Sequence, residues 1–158
     1  MEGNPGAEKM MKVVSLDNHD PRAIALEQEM QGQYVEMYGE PDQDPDNSMY
    51  TSRQVLALES DDEMVGICAW GQWPNGDGKI RLIYVTPAHR RQGFAETLLR
   101  AAEEQMREAG IRRARFESGP DQVPAHRMYD NNGYERLSEG FGYYKDAEGS
   151  VFFGKDLG

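Results

Sequence analysis

Cysteine is almost absent. Cys68 is the single one in 158 residues, so no intrachain disulfide can form, which fits a reducing compartment. Histidine is nearly as scarce: His19, His89 and His126 are scattered along the chain, give no metal-ligand spacing, and lead us to expect no metal site. No stretch approaches the roughly 20 consecutive apolar residues of a membrane span. The opening Met1-Glu2-Gly3-Asn4-Pro5-Gly6 has no basic region followed by an apolar one. A cytoplasmic location without a membrane partner is expected. Positive charge is short too: 17 Lys and Arg stand against 28 Asp and Glu, for a net charge of -11. That balance repels phosphate backbones and anionic lipid. Nucleic acid is therefore not an expected partner, and the places where basic residues gather become informative.

The length suits one domain with a real core and no staples. A short head, residues 1–9, is expected to be disordered, with a single domain over residues 10–158. Met10 to Leu16 reads as an edge-like strand, and Asp20-Pro21 opens a helix. Ala23, Leu26, Met30, Tyr34, Met37 and Tyr38 form its apolar stripe, Glu27, Glu29 and Glu36 its polar face, and Gly39 its stop. A Pro-punctuated acidic loop, Glu40 to Asn47, follows and is expected to be partly mobile. Gln54 to Glu59, Met64 to Trp73 and Lys79 to Thr86 read as an antiparallel meander separated by turn residues. Between Gln92 and Ala109 the period changes. Phe94, Ala95, Leu98, Leu99, Ala102, Met106 and Ala109 make an apolar stripe against Glu96, Arg100, Glu103, Arg107 and Glu108. Arg112 to Glu117 reads as a strand, Val123 to Asn131 as a short helix, and Tyr134 to Leu137 and Val151 to Lys155 as the last strands. Strands first, then strand, helix, strand, imply an α+β or mixed three-layer domain with helices on the faces of the sheet.

The densest chemistry lies where a buried strand turns into the long helix, Ile83-Tyr84-Val85-Thr86-Pro87-Ala88-His89-Arg90-Arg91-Gln92-Gly93-Phe94-Ala95. A first helical turn has unpaired backbone N–H groups and partial positive charge, and small residues at Gly93 and Ala95 leave that backbone open to an anion. Arg90 and Arg91 add charge there. A solvated turn in which Gly93 eases helix–sheet contact would also account for these residues. A nucleotide P-loop does not, since no lysine–hydroxyl pair follows Gly93.

Arg90-x-x-Gly93-x-Ala95 after a strand ending Tyr84-Val85 resembles the acyl-CoA signature of the GNAT superfamily of N-acetyltransferases. Ala125-x-x-x-Tyr129-x-x-x-Gly133-Tyr134 is similar to the superfamily's second segment, at the expected distance downstream. The resemblance spans the order of elements from Met10 to Leu157. It implies a GNAT-like α+β fold, with a mixed, mostly antiparallel sheet of six to seven strands and helices on both faces. It also implies acetyl-CoA as co-substrate and a primary amine as acceptor.

Residue by residue, the resemblance assigns the pyrophosphate to the backbone of Gln92, Gly93, Phe94 and Ala95, with Arg90 and Arg91. The pantetheine would pair with the strand edge at Tyr84 and Val85, which in similar proteins carries a bulge that splays it from the next strand. A backbone N–H there would polarise the acyl carbonyl. Tyr129 matches the family's acid for the leaving thiolate; with a reference pKa of about 10, its phenol is protonated at working pH. Without the resemblance it would read as a core tyrosine.

Two departures stand out. Related proteins often carry a glutamate base on the strand before the CoA turn, where this chain aligns Lys79, with Arg81 and Tyr84 as neighbours. The base would then be Glu117, Glu59 or a water chain. Gln122 stands where many relatives have asparagine, and it can still hydrogen-bond acyl-CoA or cap a helix.

Cys68 within Val65-Gly66-Ile67-Cys68-Ala69-Trp70 reads as a buried, inert thiol, and the histidines have no role. The first helix and the acidic loop, with Tyr34, Tyr38 and a flexible aromatic flap Gly140-Phe141-Gly142-Tyr143-Tyr144, would shape the acceptor side. Dimers are common among similar proteins, so the resemblance leaves room for a homodimer. A second reading is a domain that binds acyl-CoA as a sensor without turnover. Tyr129 argues against it, because a sensor needs no leaving-group acid.

Overall fold

β1 (Met11–Leu16), β2 (Gln54–Ser60), β3 (Glu63–Gln72) and β4 (Gly78–Val85) pair in sequence order as the expected antiparallel meander. The computed structural model describes residues 11–48, 51 and 53–158; the head expected over residues 1–9, and Met10, lie outside them. β5 (Arg113–Ser118), β6 (Glu135–Leu137) and β7 (Val151–Asp156) complete a mixed sheet of seven strands in the order β1-β2-β3-β4-β5-β7-β6. All neighbours are antiparallel except β4 and β5. A parallel pair needs a crossover, and α2 (Phe94–Glu108) supplies it.

Helices cover both faces. α1 (Pro21–Tyr38) begins on Asp20, whose carboxylate accepts the N–H of Arg22, and ends on Gly39, whose left-handed backbone (φ 82°) lets its N–H reach Val35 O. It buries Ala23, Leu26 and Met30 against Val55, Ile67, Ala69, Leu82 and Tyr84. On the other face α2 buries Phe94, Leu98, Leu99, Ala102 and Met106 against Leu56, Cys68 and Ile80, and α3 (Val123–Asn131) adds Tyr129 to the same cluster. Among the described residues no helix is long and apolar enough to cross a membrane.

An irregularity in the β3–β4 ladder decides which way the side chains of β4 point. Ala69 faces Leu82, yet Trp70 faces Ile80, so Arg81 is an extra residue on β4. Side chains two apart on a regular strand share a face; here the bulge sends Ile80 to the α2 side and Leu82 to the α1 side.

Several charged residues read as solvent-facing are not. Glu27 is buried because Arg53, from the segment entering β2, pairs with it inside the fold. Glu103 is buried because Tyr134 donates to it at 2.8 Å and Lys155 at 3.0 Å. Glu29 is exposed but accepts the hydroxyl of Tyr84. Conversely Met37 and Tyr38, placed on the apolar stripe, are exposed at the helix end.

The acidic loop is held rather than free. A 3-10 turn, Pro45–Asn47, is capped by Asp44, and Asp42 Oδ1 accepts both the N–H of Asp44 and, at 2.6 Å, the hydroxyl of Tyr144. The aromatic segment expected as a flexible flap is likewise packed, with Phe141 lying 5.5 Å from Trp73 and 5.1 Å from Phe152, centroid to centroid.

Candidate active site

β4 and β5 share one ladder pair, Gly78 with Ala114, and none beyond it. From that rung the two strands diverge, and a cavity of about 320 Å³ occupies the gap. Lys79 to Ile83 form one wall and Phe116 to Gln122 the other, with Tyr34, Tyr38, Asp42 and Tyr144 on the α1 side and Tyr129 from α3.

The structure brings Tyr129 and Glu117 onto this one cavity. Tyr129 is 5% exposed, and its ring packs on Phe116 (4.7 Å) and Phe153 (5.0 Å). Burial raises its phenol well above the ordinary value, so it is a proton donor at neutral pH. The side chain of Glu117 is 6% exposed. Burial pushes its carboxyl up to about 7; Lys79, 3.7 Å away, opposes that rise, and Asp44 and Asp42 reinforce it. Among the described residues its Oε2 has no hydrogen-bond partner. A carboxyl near pH 7 takes up or releases a proton at working pH, the property a general base needs. Glu59 is elsewhere: it sits on β2, bridged to Lys12 at 3.3 Å, and does not line the cavity.

The helix-start residues stand apart from that lining. α2 is capped by Gly93 at φ 76° with no side-chain cap, and its first intrahelical bond runs from Thr97 N–H to Gly93 O. The preceding N–H groups therefore have no intrahelical acceptor, and Arg91 and Gln92 are exposed beside them. A Cβ on Gly93 would meet no atom within 4 Å, so the glycine is required by its backbone angle and not by crowding. Gly93→Ala is expected to cost about 1–2 kcal/mol through the left-handed conformation alone, read as a lower midpoint in urea unfolding.

Arg90 is exposed, and part of its guanidinium is engaged within the protein. Its Nε donates to Val85 O and its Nη2 to Gln33 Oε1, both at 2.9 Å, while its guanidinium lies over the Tyr84 ring. Tyr84 points its side chain to α1, receiving a bond from Gln33 and donating to Glu29. Arg90 thus braces the end of β4 against α1. Gln122 takes the N-cap position of α3 without capping it; its side chain lines the cavity together with Tyr34 and Tyr38.

Cys68 is wholly buried, and burial pushes its thiol up to about 12. His89 bonds Thr86 at 2.9 Å, and His126 packs on Phe153. None of the three lines the cavity.

The sequence over residues 23–134 matches the model of the acetyltransferase (GNAT) family. The chain belongs to that family. Among solved structures, this GNAT chain superposes with a TM-score of 0.78 on a protein of Klebsiella pneumoniae subsp. pneumoniae assigned as an acyl-CoA N-acyltransferase. The two are 29% identical, over 94% of this chain and 99% of that one. A GNAT-family acetyltransferase of Staphylococcus aureus Mu50 gives 0.75 at 15% identity, covering 94% and 99%. Another from Elizabethkingia anophelis, with acetyl-CoA bound, gives 0.68 at 13% identity, covering 92% and 97%. Comparison with curated proteins found no match. The GNAT chain is thus an acyltransferase, and the seven-stranded sheet and three α-helices of its described residues are those of its family.

Sequence reasoning missed the interior place of Lys79, 1% exposed, and the loop carboxylates that hold it. A lysine in an apolar strand was the available signal, but its partners lie 33 and 35 residues away.

Proposed function

We propose that this enzyme moves an acetyl group from acetyl-CoA to a primary amine, on a small molecule or a peptide, by direct attack in a ternary complex. The observation that carries this reading is the meeting of Tyr129 and Glu117, a proton donor and a group titrating near neutrality, on the cavity where β4 parts from β5. Acetyl-CoA supplies the thioester whose acyl carbon the amine attacks. The N–H groups at the start of α2, from Gln92 to Ala95, suit the pyrophosphate, with Arg90 and Arg91, both exposed, beside them; Arg90 also braces β4. The edge of β4 near Tyr84 and Val85 lacks a β5 partner and suits the pantetheine amides, although the carbonyl of Val85 already accepts Arg90.

Glu117 accepts the proton that the attacking amine gives up as the N–C bond forms. Tyr129 gives its proton to the sulfur as the C–S bond breaks. A phenol whose ionisation is suppressed by burial holds that proton in reserve until negative charge develops beside it.

The test is free-thiol release from acetyl-CoA across a panel of amines, together with the melting temperature in acetyl-CoA alone. Release that depends on amine, with a raised melting temperature, is expected. A raised melting temperature with no release from any amine would replace transfer by binding without turnover.

A further inference from the structure

Lys79 occupies the strand position where the family resemblance places a carboxylate base, and it is one of the most enclosed side chains of the molecule, 1% exposed. Its ammonium lies 3.1 Å from Asp44 Oδ2, 3.2 Å from Asp46 Oδ2, 3.7 Å from Glu117 Oε1 and 4.4 Å from the ring centroid of Trp73. The two shorter contacts go to the loop and the longer one to the cavity carboxylate. That loop is fixed from the far side, since Tyr144 holds Asp42 and Asp42 holds the backbone of Asp44.

Among the described residues the charges that act most on Glu117 belong to this cluster, while Glu40, Arg81, Asp121 and Glu148 also line the cavity. β4 brings Lys79, and the loop brings Asp42 and Asp44. The segment after β6 brings uncharged Gly142, whose missing Cβ leaves room for Glu117 Oε2, and beside it stands the Trp73 ring. A lone cation at 3.7 Å in an enclosed site would hold a carboxylate firmly ionised and make it a poor base. Two aspartates nearer to the same cation draw its field away.

The geometry points to Lys79 as a positioning residue: shared among Asp44, Asp46 and Glu117, it fixes Glu117 in the cavity wall while the loop carboxylates neutralise it. This rests on the reading of Glu117 as proton acceptor. Its consequence is that removing the cation and removing a loop carboxylate change the ionisation of Glu117 in opposite directions. A role confined to stability would move neither.

The experiment is the pH profile of kcat/KM with one amine throughout, for the wild type, Lys79→Met, Asp44→Asn and Lys79→Arg. It is paired with a carbon-13 NMR titration of the Glu117 carboxyl in the enzyme without substrates. Loss of Lys79 raises the acidic limb and the NMR midpoint by roughly 1 pH unit or more. Asp44→Asn lowers both, and Lys79→Arg returns them toward the wild type. Midpoints that coincide with the wild type, or move the same way in both variants, overturn the inference. Should Lys79→Met fail to fold, the near-isosteric Asp44→Asn decides by the same NMR midpoint: a fall supports the inference and an unchanged or raised midpoint overturns it. Wild-type activity and an unchanged limb in Glu117→Gln would instead remove the base assignment. The NMR titration separates these failures, because it needs no turnover.

Discussion

Tyr129→Phe is expected to slow amine-dependent thiol release on the order of 10²-fold or more while leaving the melting temperature unchanged. The ring is what the fold uses: it packs on Phe116, Tyr134 and Phe153, and phenylalanine keeps those contacts. The hydroxyl is what the chemistry uses, since a thiolate leaving into an enclosed cavity has little water to accept its charge. The loss should fall on kcat, because binding of both substrates precedes the proton transfer. Thiol release can be read directly, as Cys68 is buried and its thiol suppressed in the folded protein. Equal rates for variant and wild type would assign Tyr129 to the core alone.

Glu117→Gln should abolish the acidic limb of kcat/KM and reduce activity by about 10²–10⁴-fold. In the wild type that limb is expected near pH 7, with activity rising as the carboxyl loses its proton. The same shift has an opposite effect on stability. Because the fold raises this carboxyl from 4.5 to about 7, the native state holds its proton more tightly than the unfolded chain does. Stability contributed by the neutral form is therefore lost as pH rises from about 4.5 to about 7. The glutamine variant carries no such penalty, so it should match the wild type at about pH 4 to 5 and melt higher at about pH 8. A less active but more stable variant above neutrality is the signature of a carboxylate kept for chemistry.

The secondary structure was legible because its signals are local. The stripe from Phe94 to Met106, the Asp20-Pro21 start and the Gly39 stop mark helix ends within a residue or two, and the turns around Asp61 and Asn75 divide the meander. Buried charge was not legible. Glu27, Glu103 and Lys79 are recognised as interior only once Arg53, Lys155 and Asp44 arrive from 26, 52 and 35 residues away. The bulge at Arg81 has no mark in its own residues either, since it records how β4 meets β3. Of the candidate bases, Glu117 and Glu59 looked alike as strand carboxylates. What separates them is that β5 borders the gap and β2 does not.

The single rung between Gly78 and Ala114 gives this protein two edges in the middle of its sheet. β4 and β5 are central by count of strands, yet the backbone groups they turn toward each other beyond that rung behave as those of an outermost strand. In hydrogen–deuterium exchange such amides should lose their protons on the timescale of loops, while their neighbours facing β3 and β7 stay protected. Anything extended enough to lie along the gap and hydrogen-bond to β4 would supply the missing ladder, and its arrival should register as slowed exchange at the heart of the molecule.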